Sequence, residues 1–473
     1  MTDAIAVDHT TQRTEHYDLV ILGSGSGNSV SDEDLLGWRV AMIEPGVFGG
    51  TCLNRGCIPS KMFVYAAEVA HRVTTAAQYG VHATLDSTDW VAVRDRVFGR
   101  IDPIAAGGRA YRGGLPNTDL YEAPARFVGE RTLQVGAVTI TADRVVLAAG
   151  SRPSVPDVPG IDDVPHVTSD EVMRLDERPA RLVILGGGFI ATEMGHVFDG
   201  LGSEVTIVNR GATLCRTEDD EVSEALTAAY RARGITIHGN TRDVALSSRD
   251  GDPVVLTAMT PDGPVVVAAD LLLVATGRVG NHDTLDLAAG GVDVDADGRP
   301  VVDAQQRTSA DGVWSLGDLS SQHWLKHIAN AEARTVAHNI RHMDAQVATE
   351  LPNVPSAVFG SPQVASVGAR ERDLVAAGTP YLVARRDYGG TAYGWAMEDT
   401  TSFVKVLVDP ETRLLLGVHA IGPEASLVIQ PLIQAMALGT DVDRVARDVI
   451  YIHPALSEVV ENVLLDLPAP PVR

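Results

Sequence analysis

The chain has 473 residues, enough for about three domains of ~100–200 residues each, and its 45% hydrophobic content is ample for packed cores. A net charge of −24 argues against a nucleic-acid binder, which presents a basic face, and against docking on an anionic membrane. Three cysteines in so long a chain are no extracellular disulfide framework, and no apolar run approaches the ~20 residues that span a bilayer, so a cytoplasmic multidomain protein is expected.

Residues 1–16 are polar and lack the apolar centre of a signal peptide, so they read as a flexible tail. Residues 17–22 are a short apolar run of the kind buried in a parallel sheet. The run enters Gly23-Ser24-Gly25-Ser26-Gly27-Asn28, whose glycines let the backbone turn tightly and approach a pyrophosphate at a helix N-terminus. Asn28 stands where Gly or Ala is usual, so helix–strand packing is expected to differ slightly there. A second strand over 39–43 ends at Glu44, about 20 residues beyond Gly23, where an acid can bind ribose hydroxyls. Strand, glycines, helix and acid together predict a dinucleotide-binding fold.

The next stretch, Gly49-Gly50-Thr51-Cys52-Leu53-Asn54-Arg55-Gly56-Cys57-Ile58-Pro59-Ser60-Lys61, holds two of the three cysteines. Two thiols this close suggest a redox pair, a metal half-site or a coincidence. Cys215 alone cannot complete an all-thiolate metal set, and a mixed set would have to recruit histidine. On a regular helix, residues five apart are displaced by about 7.5 Å along the axis and roughly 140° around it. A disulfide needs its Cα atoms within roughly 7 Å, so the pair can join only across a distorted first turn, which Gly56 would permit. Lys61 lies four residues after Cys57 on the same helical face, and a cation there would favour a Cys57 thiolate.

Residues 145–151 are another apolar strand closing on Ala149, Gly150 and Ser151, and the prolines at 153, 156 and 159 mark a crossing between domains. A second nucleotide fold begins at 181–185 and enters Gly186-Gly187-Gly188-Phe189-Ile190-Ala191, the full fingerprint. Its next strand, 204–208, ends at Asn209 rather than an acid, with Arg210 beside it and Arg216 beyond. An acid would repel a 2′-phosphate and arginines attract it, so NADPH is favoured over NADH. Residues 271–278, ending in Gly277 and Arg278, echo 145–152, which suggests two related folds, one nested within the other.

Asp318 closes an apolar strand, either to bind a polyhydroxyl chain or to N-cap a helix around 329–339. Beyond 344, alternating segments at 403–408 and 414–421 and a helical pattern over 427–438 suggest a final α+β domain. It ends with His453-Pro454 and, five residues after the histidine, Glu458. A His–acid pair can exchange protons with a thiol, whereas an ordinary His-Pro is structural.

Two dinucleotide folds, GGTCLNRGCIPSK, ATGR, GD and a late HPxxxE resemble the class I pyridine nucleotide–disulfide oxidoreductases from Tyr17 to the end of the chain. The resemblance implies an α/β protein with two Rossmann-like folds, for FAD and NADPH, plus a C-terminal α+β dimerisation domain. The expected boundaries are 17–155 for FAD, 156–280 for NADPH, 281–345 for a return to the first fold and 346–473 for the interface. Stretches at 23–29, 61–70, 98–105 and 393–400 are similar to members that reduce mycothiol disulfide, the disulfide of a sugar-linked cysteine thiol.

Carried over to this sequence, the resemblance places FAD against Gly23, Gly25, Ser26, Gly27, Gly50, Thr51, Ala149, Gly150, Ser151 and Arg278. Glu44 would hold its adenosine ribose and Asp318 its ribityl chain. NADPH would lie on Gly186, Gly188, Ile190, Asn209, Arg210, Arg216 and Gly277, with Phe189 as an aromatic gate over the flavin. Electrons would pass through the flavin to a Cys52–Cys57 disulfide, with Cys57 as the charge-transfer thiolate and Cys52 attacking the substrate. Lys61 and Glu193 would pair beside the flavin. His453, oriented by Glu458, would be the acid–base and would come from the partner subunit of a homodimer.

Departures from the family pattern are Arg55, where Val is common, and Gly360 and Gln363 in place of Thr and Glu; none removes a catalytic group. Cys215 reads as an ordinary small residue. Dihydrolipoamide dehydrogenases share the catalytic residues but would want an acid at Asn209, and glutathione-type reductases are a further alternative. Mercuric and large thioredoxin reductases need C-terminal cysteines or selenocysteine, which 464–473 lacks. A protein that binds FAD without catalysis would not be expected to keep Cys52, Cys57, His453 and Glu458.

Overall fold

The apolar run at 17–22 becomes the middle of a sheet. Strand β1 (Thr14–Leu22) pairs in parallel with β2 (Val40–Ile43) on one side and Val138–Leu147 on the other, and Thr118–Tyr121 and Val313–Ser315 extend the sheet in parallel. Val20 and Leu22 enter one core and Leu19 and Ile21 another, so both faces of β1 are buried and its sequence shows no polar alternation. Strand order reverses at β1, which opens a crevice at its C-terminal end. In this computed structural model, residues 13–469 are described. β1 takes its first residues, Thr14 to His16, from the segment expected as a tail; residues 1–12 of that segment lie outside the described residues.

The described chain falls into two compact units: residues up to 58 with 98–152 and 278–350, and residues 59–97 with 153–277 and those from 351 on. The second unit holds a parallel sheet in which Arg181–Leu185 lies between Glu204–Val208 and Leu271–Val274. The echo read from sequence is a true structural repeat. Gly23 and Gly186 follow the central strands with φ of +105° and +126°, and a Cβ on either would stand 2.2 Å from a carbonyl oxygen, of Ala148 or Ala275. Only glycine allows that turn and that approach.

The two glycine turns part company immediately afterwards. Gly188 N-caps the helix Phe189–Gly200, but no α-helix follows the first motif. Its place is taken by two 3₁₀ turns, Gly27–Val30 and Glu33–Leu35. Ser31, Asp32 and Gly37 fall within this short segment, and the Asp32 side chain caps Asp34 N instead of leaving the backbone to helical bonding. The buried Arg112 supplies the missing bonds: its guanidinium donates to Asn28 Oδ1 (2.7 Å), Asn28 O (2.9 Å), Ser31 Oγ (3.2 Å) and Ser31 O (2.6 Å).

From Ser356 on, five strands form an antiparallel sheet. The helical pattern at 427–438 becomes two short helices, Ala425–Val428 and Gln430–Ala437. Lys405, in the strand Phe403–Val408, is 1% exposed. Its ammonium donates to Asp219 (3.0 Å), Glu221 (2.7 Å) and Glu371 (2.5 Å), which ties this sheet to the start of the helix Asp220–Ala232 in the second nucleotide fold. Among the described residues no helix is long and apolar enough to cross a membrane.

Candidate active site

The cysteine stretch folds as two helices, α1 (Gly50–Asn54) and α2 (Cys57–Thr75), rather than as one helix with a distorted first turn. The break is at Arg55 and Gly56. A Cβ on Gly56 would lie 2.9 Å from Thr51 O, so glycine serves here by close approach of the backbone. The buried Asn54 amide donates to Phe48 O (2.9 Å) and Gly50 O (3.0 Å) and fixes the turn. The break brings together two sulfurs that a continuous helix would hold apart: Cys52 is half-buried, Cys57 is exposed, and they are thiols in hydrogen-bond contact. That hydrogen bond, then burial and the charge of Cys57, pushes the Cys52 thiol above its ordinary range, while Lys326 pulls it down.

Gly50 seats this element on the first glycine loop, since a Cβ there would stand 2.6 Å from Gly25 Cα. Glu44, at the end of β2, accepts from Ser24 N (3.0 Å), Ser24 Oγ (2.8 Å) and Gly46 N (3.0 Å), and Ser24 Oγ accepts from Gly49 N (2.8 Å). The carboxylate is thus held in place by the loop, with about one of its four acceptor sites left over for a hydroxyl ligand. Both Glu44 Oε1 and Arg55 Nη2 lie beside Gly46, at 3.3 and 4.0 Å from where its Cβ would be, so the guanidinium between the cysteines in sequence lies on the Glu44 side.

Asp318 accepts from Ser151 Oγ (2.7 Å), which in turn accepts from Arg278 Nε (2.9 Å). Asp318 is not an N-cap: the helix starts at Lys326 and its cap position is Leu325. Asn281 binds the turn at 149–150, donating from Nδ2 to Ala149 O (2.8 Å) and from its backbone N to Gly150 O (2.9 Å). A loop that admits only glycine, a pre-bonded acid at a strand end and a second acid fixed through Ser151 form a donor and acceptor set that fits a dinucleotide with a polyhydroxyl chain.

In the second unit, Lys61 Nζ donates to both oxygens of the buried Glu193 (2.8 Å each), Phe359 N adds a bond to Glu193 Oε1 (3.1 Å), and the ammonium lies 4.9 Å from the Phe359 ring centroid. No side chain caps the helix that starts at Phe189, so its first backbone N–H groups are available to an anion. Phe189 is 50% exposed. Asn209 is buried and turned into its own loop, donating to Gly211 O (3.1 Å) and Thr213 O (2.8 Å). Arg210 and Arg216 are exposed beside it, and neither is paired with a carboxylate among the described residues. Cys215 is buried against Thr192 Oγ1 (3.3 Å), and burial pushes its thiol up to about 12.

His453 Nδ1 bonds Glu458 Oε1 at 2.7 Å, and Ala455 N donates to the other carboxylate oxygen (3.2 Å). The hydrogen bond from His453 holds the Glu458 carboxyl below its ordinary range. With Nδ1 engaged and the side chain 71% exposed, Nε2 is the nitrogen offered to a partner.

Sequence reading missed Arg112, Asn281 and Lys326. Only Lys326 carried a signal: a lysine in the first turn of a helix opposes the helix dipole and so asks for a local reason.

Residues 17–335 match the pyridine nucleotide-disulphide oxidoreductase family, and residues 354–464 match the dimerisation domain of that family. The mycothione reductase of Mycobacterium tuberculosis strain H37Rv is 48% identical over 464 residues, 96% of this chain and 100% of that one. The mercuric reductase of Streptomyces lividans is 33% identical over 91% of this chain and 92% of that protein. The dihydrolipoyl dehydrogenase of Halobacterium salinarum is 33% identical over 93% and 94%. Among solved structures, the HOCl-induced flavoprotein disulfide reductase RclA from Escherichia coli matches with a TM-score of 0.83 at 27% identity, over 95% of this chain and 100% of that one.

Proposed function

The chain belongs to the pyridine nucleotide-disulphide oxidoreductases, and from that premise we propose that it reduces mycothiol disulfide with NADPH, through FAD and the Cys52–Cys57 pair. The observation that carries the reading is the interrupted helix, which puts two sulfurs in contact on an element seated against a nucleotide-binding glycine loop. The substrate follows from full-length similarity to a mycothione reductase. The choice of NADPH follows from Asn209, whose side chain is spent on its own loop, and from Arg210 and Arg216, which pair with no carboxylate among the described residues.

The first glycine loop with Glu44, Ser151 and Asp318 holds the FAD, and the helix starting at Phe189 with Arg210 and Arg216 holds the NADPH. FAD held there would supply two-electron transfer between the nicotinamide and the Cys52–Cys57 disulfide. The remaining steps belong to the chain's own groups. The Cys52 thiolate attacks one sulfur of the substrate, the S–S bond breaks, and the departing thiolate takes a proton from His453 of the partner subunit, which enters through the dimerisation domain. The Cys57 thiolate then attacks the Cys52 sulfur, the second half of the substrate leaves as a thiolate that takes its proton from solvent, and the internal disulfide closes. Lys61 and Glu193 would form the ion pair beside the flavin, and Phe189 the aromatic gate over it.

Dihydrolipoyl dehydrogenase chemistry is the second reading, and Asn209 is the residue that disfavours it. NADPH oxidation measured side by side with mycothiol disulfide, glutathione disulfide and lipoamide tests the proposal. The expected result is a kcat/KM for mycothiol disulfide about a hundredfold or more above the others, as polar substrate recognition allows. Faster turnover of lipoamide, or a preference for NADH, would overturn it.

A further inference from the structure

We propose that Lys326 is a positioning residue of the thiol pair, a cation anchored on the first glycine loop that favours the Cys52 thiolate. This deepens the reading of Cys52 as the attacking sulfur and rests on it. The placement is specific. Lys326 is the first residue of the helix Lys326–Asn339, half-buried, and its ammonium donates to Ser26 Oγ at 2.8 Å. Ser26 adjoins Gly25, the residue on which Gly50 and hence α1 is seated. The side chain is therefore stretched from one helix start to the loop beneath the redox helix, with no carboxylate to neutralise it among the described residues.

Cys57, at the start of α2, and Lys326, at the start of its helix, both act on Cys52. Cys57 and burial keep the proton on Cys52, and Lys326 works against them. The other nearby cation in sequence, Lys61, is committed to Glu193. Arg55 lies beside Gly46 and Glu44. Lys326 thus offers Cys52 a cation of the kind that spacing along the chain suggested Lys61 would offer Cys57.

The test uses the FAD-loaded enzyme reduced anaerobically with NADPH and alkylated with iodoacetamide across a pH series, with each cysteine peptide quantified by mass spectrometry. In Lys326→Met the pH of half-maximal Cys52 alkylation should rise by about one unit, the low end of the effect of losing an opposite charge. Lys326→Arg should stay near the wild-type profile, and Ser26→Ala should fall between. Thermal midpoints and bound flavin, read by absorbance, show whether each variant is folded and loaded. An unchanged Cys52 profile in Lys326→Met overturns the proposal, and if bound flavin falls in that variant the lysine serves the cofactor phosphates instead. Equal shifts in the Met and Arg variants would also overturn it, because shape and not charge would then matter. If NADPH generates no alkylatable Cys52 in the wild type, the reductase reading itself has failed.

Discussion

Replacing Lys405 with methionine removes a cation from a site where three carboxylates converge. Glu221 and Glu371 have side chains 46% and 30% exposed and can turn to water, whereas Asp219 is 2% exposed and cannot. Breaking a buried pair costs about 3–5 kcal/mol, and with one stranded carboxylate the lower end applies, about 3 kcal/mol. At roughly 2–4 °C per kcal/mol for a body of this size, the unfolding midpoint should fall by about 6–12 °C. The pH dependence carries the sharper test. In the wild type, burial raises the Asp219 carboxyl, but the Lys405 hydrogen bond and neighbouring positive charges bring it below its ordinary range. Its contribution to stability is then present above the ordinary carboxylate range and is lost as pH falls through the lowered value. Without Lys405, burial outweighs the remaining help from His419 and the backbone N–H groups of Glu221 and Glu371, so the Asp219 carboxyl should rise and the deficit of the variant should be largest at pH 8 and shrink toward pH 5. Scanning calorimetry of both proteins at matched scan rates measures this. A deficit under about 1 kcal/mol, or one that does not change with pH, would refute the argument, and Asp219→Asn added to Lys405→Met should recover part of the loss.

Cys52→Ser should abolish disulfide turnover while NADPH still bleaches the flavin in the stopped-flow spectrometer; full turnover would mean that the thiol roles are reversed. His453→Ala should slow reoxidation of the dithiol by substrate about 10²–10⁴-fold with little effect on reduction by NADPH. Arg210→Ser with Arg216→Ser should raise the KM for NADPH by at least about tenfold, the loss of one or two charge-assisted contacts, and leave that for NADH unchanged. Steady-state rates with both nucleotides decide this, and equal losses with each would show that the arginines do not read the 2′-phosphate.

The sheets were the most legible part of the chain. Continuous apolar runs such as Leu19 to Leu22 and Leu182 to Leu185 have one stable home, a strand covered on both faces, and the glycines after them leave few other turns open. The candidate site was legible wherever a residue acts through its own chemical type: two thiols, an imidazole with an acid, an acid at a strand end. It was illegible wherever a role depends on a distant segment. Arg112 lies 84 residues beyond Asn28, and Lys326 reaches across 300 residues to Ser26, so no local pattern announces either. The break between α1 and α2 was half visible. Spacing showed that a regular helix fails there, but Asn54 holding the carbonyls of Phe48 and Gly50 is a tertiary arrangement.

The Arg112 clasp changes what the segment after the first glycine loop can tolerate. A helix laid on a sheet spreads its integrity over many backbone bonds and demands an apolar stripe of fixed period. Here a single side chain collects the oxygens of Asn28 and Ser31, and the apolar contribution of the segment falls to Val30 and Leu35. Loss of that arginine would strand the oxygens of Asn28 and Ser31, while Val30 and Leu35 in the core and the bond from Asn117 Nδ2 to Leu35 O would still hold the far end of the bend.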